Sequence, residues 1–255
     1  MLISLDGKAS VGFGYGLGPD LFIYSVLWTL LQVIFFYWPN LDAYKMKRVP
    51  YLDMRNRQVS FVHGILCMFL ATHYLLTVEN SCGSSINNYE YSILVMSCGY
   101  FSYDFLSMAW FGLLDFDMTL HHLLCITGMV YTLLDGSGAN YIVAGLFVAE
   151  VSNPAMHMRI MLKHVGLRYS RAYEVAEFFY FGSFFAGRIV MGHPTVYATL
   201  TCSKLNLFAK IVCAGVMVQS YQFLYRMYFI VMRRFAEIRE RNKKKITLHW
   251  FKAIP

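Results

Sequence analysis

The feature that most limits the fold of this chain is a series of seven apolar runs, each close to the length that a helix needs to cross a hydrocarbon layer of about 30 Å. Inside lipid the backbone groups of such a segment must bond to one another, which a helix achieves on its own. The sequence therefore predicts an all-α, multipass transmembrane helix bundle with about seven spans. Six or eight spans remain open, because only residues 135–140 separate the fourth run from the fifth. The runs are roughly 21–38, 59–78, 91–114, 118–134, 141–162, 173–192 and 204–232.

The composition agrees with a membrane protein rather than a soluble one. Of the 255 residues, 57% are hydrophobic and 15% are charged, and the mean hydropathy is +0.45. A soluble domain typically has about 25% charged residues. The first twenty residues are rich in glycine and lack both a basic region and a small-residue cleavage site. We therefore expect residues 1–20 to form a short exoplasmic segment and the first run to be an uncleaved anchor.

The distribution of basic residues predicts the orientation of the bundle, because cytoplasmic loops are enriched in Lys and Arg. Residues 79–90 and 135–140 contain neither, which makes these loops exoplasmic and puts the N-terminus outside and the C-terminus in the cytoplasm. The net charge of +7 lies mostly beside the membrane, so it indicates contact with anionic lipid headgroups rather than with nucleic acid. The basic residues gather in the first loop (Lys45, Lys47, Arg48, Arg55, Arg57), after the fifth run (Lys163, Arg168, Arg171) and in a basic cytoplasmic tail, residues 235–255.

The cysteines and histidines argue against most kinds of metal site. Six cysteines form no C-x-x-C pair, and four of them lie within the apolar runs. Cys82 and Cys202 lie near predicted exoplasmic loops, where an oxidising compartment permits a disulfide. The eight histidines include no H-x-x-H-H or H-x-x-x-H box, so we do not expect a di-iron site of the hydroxylase type. A bis-histidine haem would need facing histidines on separate helices, for which His63 with His121 or His122 is the only conceivable set, and we do not expect one.

The adjacent His121 and His122 lie in an apolar run, seventeen residues after Asp104 in the preceding run. Ionisable groups at membrane depth are costly, so they indicate a functional site. Neighbouring residues on a helix point about 100° apart, so one imidazole is expected to act while the other orients it or contacts another helix. Asp104 shares a helix face with Tyr100 and Ser107, and that polar stripe must face protein or water.

The fifth run also carries polar groups at helical spacing. Glu150, Asn153 and His157 share one face of the predicted helix. Pro154 has no N–H to bond the carbonyl of Glu150. We therefore expect a kinked, polar half-helix here.

Glu177 and Arg188 lie eleven residues, or three helical turns, apart in the sixth run. They share a face without touching, and each is expected to find its partner on a neighbouring helix. All of these polar groups also admit a structural interpretation, as struts or interhelical bonds. His63 and His73 share no face and are expected to be structural. The aromatic cluster at residues 179–185 is expected to serve packing or lipid contact, or to line an acyl-chain groove.

These motifs, in this order, resemble the TLC domain, and the resemblance extends over residues 57–234. The family includes ceramide synthases, translocon-associated membrane proteins and smaller TLC domain-containing proteins, to which the resemblance is strongest. It implies a location in the endoplasmic reticulum or another endomembrane, with the plasma membrane as the alternative. The motifs that carry it are Gly99-Tyr100-Phe101, Asp104, His121-His122, Glu-x-Ser-Asn-Pro at residues 150–154, and Arg159.

Ceramide synthases join a fatty acyl group from acyl-CoA to a sphingoid amine and require paired histidines, which match His121 and His122. Their signature continues with a second His-Asp and a further Asp. Residues 148–153 of this chain read Val-Ala-Glu-Val-Ser-Asn, so half of that signature is absent. The resemblance implies lipid metabolism or membrane lipid homeostasis, with membrane lipids as partners, acyl-CoA as a co-substrate of any transferase, and no resident cofactor. The sequence predicts no oligomeric state.

Three functions remain open from the sequence. In an acyltransferase, one histidine acts as base or nucleophile, Asp104 orients it, and Glu150 or Asn153 positions the acceptor. A non-enzymatic lipid-binding or membrane-composition protein would use the same residues to hold a headgroup. A proton-linked lipid or solute carrier would use the two histidines and the two carboxylates as a proton relay. The other expected positioning residues are His157, Glu177 and Arg188.

Overall fold

The structure is a computed structural model of the chain, and it describes residues 16–38, 46–79 and 81–252. Most of the predicted exoplasmic segment and Lys45 of the first basic loop lie outside these ranges. Within them the regular structure is entirely helical, as predicted, and the β-type contact is an isolated bridge between Ser85 and Ser137. The helices are α1 (Leu17–Tyr37), α2 (Arg48–Thr77), α3 (Asn88–Phe111), α4 (Phe116–Asp135), α5 (Ala139–Glu150), α6 (Asn153–His164), α7 (Arg171–Phe184), α8 (Gly192–Thr201) and α9 (Leu207–Lys243), with a π-helical segment, Phe185–Met191, between α7 and α8.

Three of the described helices, α1, α2 and α9, are long and apolar enough to cross a membrane. α2 begins eleven residues before its predicted apolar run, so Arg48, Arg55 and Arg57 belong to a helix and not to a loop. The assignment of these residues to a loop was wrong, because a basic residue can continue a helix when its side chain pairs with an acidic one. Here the Nε of Arg57 donates to Asp53, one turn earlier, at 2.9 Å. α9 likewise continues to Lys243, beyond the apolar run that ends at residue 232.

The kink predicted at Pro154 is a full break between two helices. α5 ends at Glu150 and α6 begins at Asn153, with Pro154 in the first turn of α6, where a missing N–H costs no hydrogen bond. The sixth predicted span is also interrupted, which the sequence did not indicate. After α7 the chain forms seven residues of π-helix and then continues as α8.

The loops meet at two opposite ends of the bundle. At one, called the disulfide end, Cys82 and Cys202 form a disulfide with Cα atoms 5.6 Å apart, which confirms the pairing that the sequence permitted. The loop after α4 lies beside it, since the N–H of Ile86 donates to the Gly136 carbonyl at 2.9 Å. At the other, called the basic end, the first turns of α2 bond to the last turn of α6. With α5 and α6 counted as one interrupted helix, and α7 and α8 as another, successive helices run alternately between the two ends.

The hydrophobic core lies where α1, α2 and α3 cross. Its buried side chains include Trp28, Val59 and Leu94, one from each of these helices. α1 and α3 approach closely at Gly99, where a Cβ would stand 2.6 Å from the Cβ of Tyr24. Such close approaches at small residues are typical of helices that pack in membranes. This packing holds α3, and the polar stripe on it, firmly in place.

Breaking the disulfide is expected to lower the stability of the bundle without unfolding it. The bond joins residues 120 positions apart, and in the chain-entropy view a loop of about 100 residues gains about 4.7 kcal/mol from such a closure. The Cys82→Ser/Cys202→Ser variant should lose up to about 4 kcal/mol of unfolding free energy, measured by chemical denaturation in detergent. Reducing the wild type should cause the same loss, and Cys213→Ser, at a free thiol, should keep the sensitivity to reduction. Equal stability of the reduced and oxidised proteins would contradict this prediction.

Candidate functional site

His122 and Asp104 form a buried pair between α4 and α3. The Nε2 of His122 lies 2.9 Å from Oδ2 of Asp104, and the two residues are 3% and 6% exposed. The other ring nitrogen, Nδ1, donates to the carbonyl of Met118 at 2.8 Å. Both ring nitrogens of His122 therefore face oxygen atoms of other groups and are engaged. His122 therefore has no free lone pair to offer a substrate.

The Asp104 carboxylate is also held from α2. The amide of Asn56 donates to Oδ1 of Asp104 at 2.7 Å. The amide oxygen of Asn56 accepts from the hydroxyls of Ser107 at 2.9 Å and Tyr103 at 3.3 Å. The polar stripe on α3 thus faces protein, as predicted, and this network fixes the carboxylate that orients His122.

His121 points toward α9 and is in a different state. Its Nδ1 lies 3.1 Å from Oε1 of Gln219, whose amide group is oriented by donating to the Asp117 carbonyl at 2.8 Å. With an acceptor opposite Nδ1, the proton of a neutral imidazole lies on that atom, and Nε2 keeps its lone pair. The thiol of Cys125, one helical turn away, lies 3.8 Å from Nε2. His121 is thus the histidine of the pair that can accept a proton.

A cavity lies against His121, between α4, α5, α8 and α9. Its accessible volume is about 130 Å³, and it is partly open to the surroundings. On α4 its wall extends from His121 to Asp135, fourteen residues or about 21 Å at a helical rise of 1.5 Å. The wall is apolar along its middle, where it includes Leu124, Met129, Ile142 and Val212.

The π-helical segment places Arg188 in the wall of the same cavity. A Cβ on the preceding residue, Gly187, would stand 2.8 Å from a backbone oxygen of α5, so only glycine allows this close approach. Arg188 donates through Nη1 to the Ser220 hydroxyl at 3.1 Å and through Nη2 to the Ala149 carbonyl at 3.4 Å. Arg188 lies thirteen residues before the last residue of α8, and His121 lies fourteen residues before the last residue of α4. Both helices end at the disulfide end, so the two residues lie at similar depths in the bundle.

Glu150 and Asn153 form a second polar cluster instead of joining the histidine pair. The Asn153 amide donates to the Glu150 carboxylate at 2.9 Å, across the break between α5 and α6. That carboxylate lies 3.8 Å from Nδ1 of His63 on α2. His63 is fully buried, contacts Ser97 through Nε2 at 3.3 Å and stacks on Tyr100. Its burial fits the structural role expected for it, but its carboxylate neighbour was not expected.

Phe101 separates the two clusters. Its ring centroid lies 5.8 Å from that of His122 and 5.9 Å from those of His121 and His63. The residue is 4% exposed, so its ring is an apolar partition at the centre of the bundle. The three imidazoles are therefore close neighbours, although each bonds to different partners.

The remaining two predicted site residues lie elsewhere. Glu177 on α7 accepts from Arg159 of α6 at 2.9 Å and from Arg234 of α9 at 2.5 Å. Its partners come from neighbouring helices, as predicted, but they are near the basic end. His157 is 7% exposed, and its Nδ1 has no hydrogen-bond partner among the described residues.

Several residues of the site were not predicted from the sequence. Asn56 lies between Arg55 and Arg57, and these charges are interpreted as a signal for the orientation of the bundle in the membrane, not for a functional site. Gln219 and Ser220 are adjacent polar residues in the last apolar run, and that pattern is a signal that could have identified them. Within the described ranges, no three His, Cys, Asp or Glu side chains lie close enough to share a metal ion.

Comparison with known proteins supports the motifs. No solved structure matches the chain. The family model of the TLC domain, named for TRAM, LAG1 and CLN8, matches residues 53–234, which is more than half of the chain. The matched range contains Asp104, both adjacent histidines, Glu150 and Arg188. Together with the long apolar helices, this match shows that the chain belongs to the TLC domain family and is an integral membrane protein of lipid metabolism or lipid homeostasis.

Proposed function

We propose that the protein is an acyltransferase in which His121 is the general base and an acyl-CoA-like thioester is the donor. The observation that supports this most is the contrast between the two histidines. His122 is bonded at both ring nitrogens, whereas Nε2 of His121, beside a deep apolar cavity, has only the weak contact with the Cys125 thiol among the described residues. A neutral imidazole with one fixed N–H is the form that takes a proton from an attacking amine or hydroxyl.

The reaction needs one proton acceptor and one apolar chain site. As the acceptor nitrogen or oxygen attacks the thioester carbonyl, its proton passes to Nε2 of His121. The C–S bond then breaks, and the departing thiolate takes that proton. Gln219 holds His121 in the required tautomer. His122 and Asp104 stay buried and position the first turns of α4.

The other expected site residues have supporting roles in this proposal. Glu150 and Asn153 bond across the break between α5 and α6, so they position that break rather than contact the acceptor. His157 is a buried residue of α6, one turn after the break. Glu177 ties α7 to α6 and α9.

Seven spans are proposed for the bundle, with the N-terminus outside. The count takes α5 and α6 as one crossing and α7 and α8 as another, and the crossings then alternate between the disulfide end and the basic end. Disulfides form in oxidising compartments, which supports an exoplasmic or lumenal disulfide end. The resemblance to ceramide synthases supports the endoplasmic reticulum or another endomembrane, with the plasma membrane as the alternative. Within the family, the order Asp, His-His, Glu-x-Ser-Asn-Pro supports a place near the smaller members, in particular TLC domain-containing protein 5.

Filling the cavity at Gly145 is expected to shorten the acyl chain that the protein accepts. Gly145 lines the cavity, and a Cβ built on it would meet no atom within 4 Å, so the space beside it is open. The cavity wall extends about 21 Å along α4, and one lipid tail occupies about half of a 30 Å hydrocarbon layer. Gly145→Leu should lower kcat/KM for sixteen-carbon donors roughly tenfold and spare eight-carbon donors. Product mass spectrometry over a series of donor lengths measures this.

Gly182 of α7 offers a matched control for that substitution. A Cβ there also meets no atom within 4 Å, but the residue is not part of the cavity wall. Gly182→Leu should leave the chain-length profile unchanged. A wild-type profile for Gly145→Leu would place the acyl chain elsewhere.

The acyltransferase proposal is tested by mass spectrometry of the purified protein supplied with palmitoyl-CoA, and of lipids from cells that carry wild type or His121→Ala/His122→Ala. A new acylated lipid that is lost in the double variant supports the proposal. A mass increase of one acyl chain on the intact protein would identify His121 as a nucleophile rather than a base. Co-purified phospholipid with neither product nor adduct would contradict acyl transfer.

A lipid-binding or membrane-composition role is the second candidate. It is favoured by the same cavity, whose apolar wall ends at a buried arginine, and it requires bound lipid without histidine-dependent product. A proton-linked carrier is favoured by the two buried imidazole–carboxylate contacts, His122 with Asp104 and His63 with Glu150. It requires pH-driven movement of lipid or solute in vesicles.

A further inference from the structure

Arg188 is a buried cation that forms no ion pair with any carboxylate of the described residues. It is 6% exposed, its hydrogen-bond acceptors are the Ser220 hydroxyl and the Ala149 carbonyl, and its Nε has no partner. No carboxylate of the described ranges forms an ion pair with it. Arg234, buried to the same degree near the basic end, pairs with three carboxylates. The carboxylate of Glu150 interacts with Arg188 electrostatically but is not bonded to it. The guanidinium in the cavity wall therefore has no anion directly bound to it.

Burying a charge is costly unless an opposite charge compensates it. The Ala149 carbonyl belongs to the last turn of α5, whose negative dipole end compensates in part. The guanidinium carbon also lies 5.8 Å from the centroid of the Phe184 ring, which adds a cation–π contact. Both contributions are smaller than the cost of removing an arginine from water. Arg55 is buried with neutral partners too, but it is not among the residues that line the cavity.

The polarity of the cavity fixes which way a ligand would lie. At the disulfide end its wall carries Asp135, whose carboxylate accepts from two neighbouring hydroxyls and would repel an anion. Between the two ends the wall is apolar and narrow, because α4 and α9 approach so closely that a Cβ on Gly128 would stand 3.0 Å from Val212. A ligand with an anionic group at Arg188 and one alkyl chain directed toward Asp135 matches this arrangement.

We propose that Arg188 and Ser220 form a binding site for the anionic group of a single-chain amphiphile, namely the carboxylate of a fatty acid or the phosphate of a lysophospholipid. The free Nε–H of Arg188, together with an N–H of the adjacent Nη, is the planar pair of donors that binds two oxygens of such a group. The Ser220 hydroxyl donates to the Val216 carbonyl at 2.9 Å, so it remains an acceptor that steadies the guanidinium. The site does not depend on acyl transfer, because charge and an apolar chain suffice to hold the ligand.

The local backbone supports this assignment. π-Helical segments are rare and frequently occur at functional sites. Here the segment turns Arg188 into the cavity wall, and Gly187 lets it lie directly against α5. A side chain that only filled space would require neither the π-helical segment nor the close approach at Gly187.

The test is equilibrium binding to the purified full-length protein in non-ionic detergent, with palmitate, palmitoyl lysophosphatidate and uncharged monopalmitoylglycerol as probes. The wild type is expected to bind one of the anionic probes roughly tenfold more tightly than the uncharged one. Arg188→Gln should remove that preference, and Arg188→Lys should keep part of it. Arg233→Gln removes an exposed charge near the basic end and should change nothing. The preferred anionic probe distinguishes a carboxylate from a phosphate ligand.

Thermal unfolding of the ligand-free protein separates a binding role from a structural one. Removing a buried charge that forms no ion pair is expected to raise the Tm or leave it unchanged, whereas removing a member of a structural ion pair lowers it. The preferred anionic probe should raise the Tm of the wild type and not that of Arg188→Gln. A lower Tm of ligand-free Arg188→Gln, or equal affinity of the wild type for all three probes, would overturn the proposal. If Arg188→Gln does not accumulate, the proposal is tested by comparing the probe preference of the wild type with that of Arg188→Lys, which should be weaker.

Discussion

Replacing His121 by alanine is expected to lower kcat/KM for acyl transfer by about 10²- to 10⁴-fold, the range that a positioned general base contributes. The loss should appear in kcat more than in KM, because His121 takes a proton only as the acceptor attacks. The fold should survive, since His121 is only partly buried at the cavity wall and its removal leaves no charge unpaired. Initial rates with palmitoyl-CoA as donor, together with thermal unfolding, measure both effects.

Two further variants show whether the loss belongs to the His121 imidazole itself. His73→Ala removes an exposed histidine of α2 and should keep the wild-type rate. Gln219→Leu removes the acceptor at Nδ1 of His121, which releases the tautomer. It should reduce kcat less than His121→Ala does and should change the pH profile. Full activity of His121→Ala would rule out this residue as the base.

Asp104→Ala is expected to destabilise the bundle by about 3–5 kcal/mol, the cost of removing one partner from a buried ionic pair. The variant leaves His122, which is 3% exposed, and the amide of Asn56 without their acceptor. A loss of stability should therefore accompany any loss of activity at this position. Chemical denaturation in detergent gives the free energy of unfolding.

Asp104→Asn is the matched variant, because it keeps the volume of the side chain and an oxygen that can accept from Asn56. It should lose much less stability than Asp104→Ala. The Asp104→Ala/His122→Ala double variant should cost less than the sum of the single variants, since each single change leaves a buried partner unpaired. If Asp104→Ala proved as stable as the wild type, the pair would make no net contribution to the fold.

The fold class and the break at Pro154 could be predicted because both depend on local properties of the chain. The length of an apolar run sets a membrane helix, and the missing N–H of proline ends one. The start of α2 was not predicted, because the charges of Arg48 and Arg57 show which side of the membrane this segment faces but not where a helix begins. The π-helical segment has no local signal, since Gly187 matters only through its contact with α5, which exists once the bundle has formed.

The site was predictable only where ionisable residues reveal it. Asp104 and His122 are costly at membrane depth, and the structure does pair them. Gln219 determines that His121 is the histidine with an available ring nitrogen. An amide side chain in a membrane helix is not specific to functional sites, so the sequence does not reveal this role. Glu150 lies beside His63 rather than beside His122. Spacing within one helix defines a face, but the rotation of that helix against its neighbours is set by packing.

The π-helical segment lets one continuous stretch of chain, from Arg171 to Thr201, present different faces to two surroundings. Its bonds span one residue more than those of an α-helix, and each residue turns an α-helix by about 100°, so α7 and α8 are out of phase. α7 directs Glu177 to the arginines near the basic end, whereas α8 directs Thr195 and Thr199 to the cavity. A family member shorter by one residue at this point would keep the arginine network and turn a different face to the cavity. The length of this short segment therefore decides which face of α8 meets the cavity, without changing the contacts of α7.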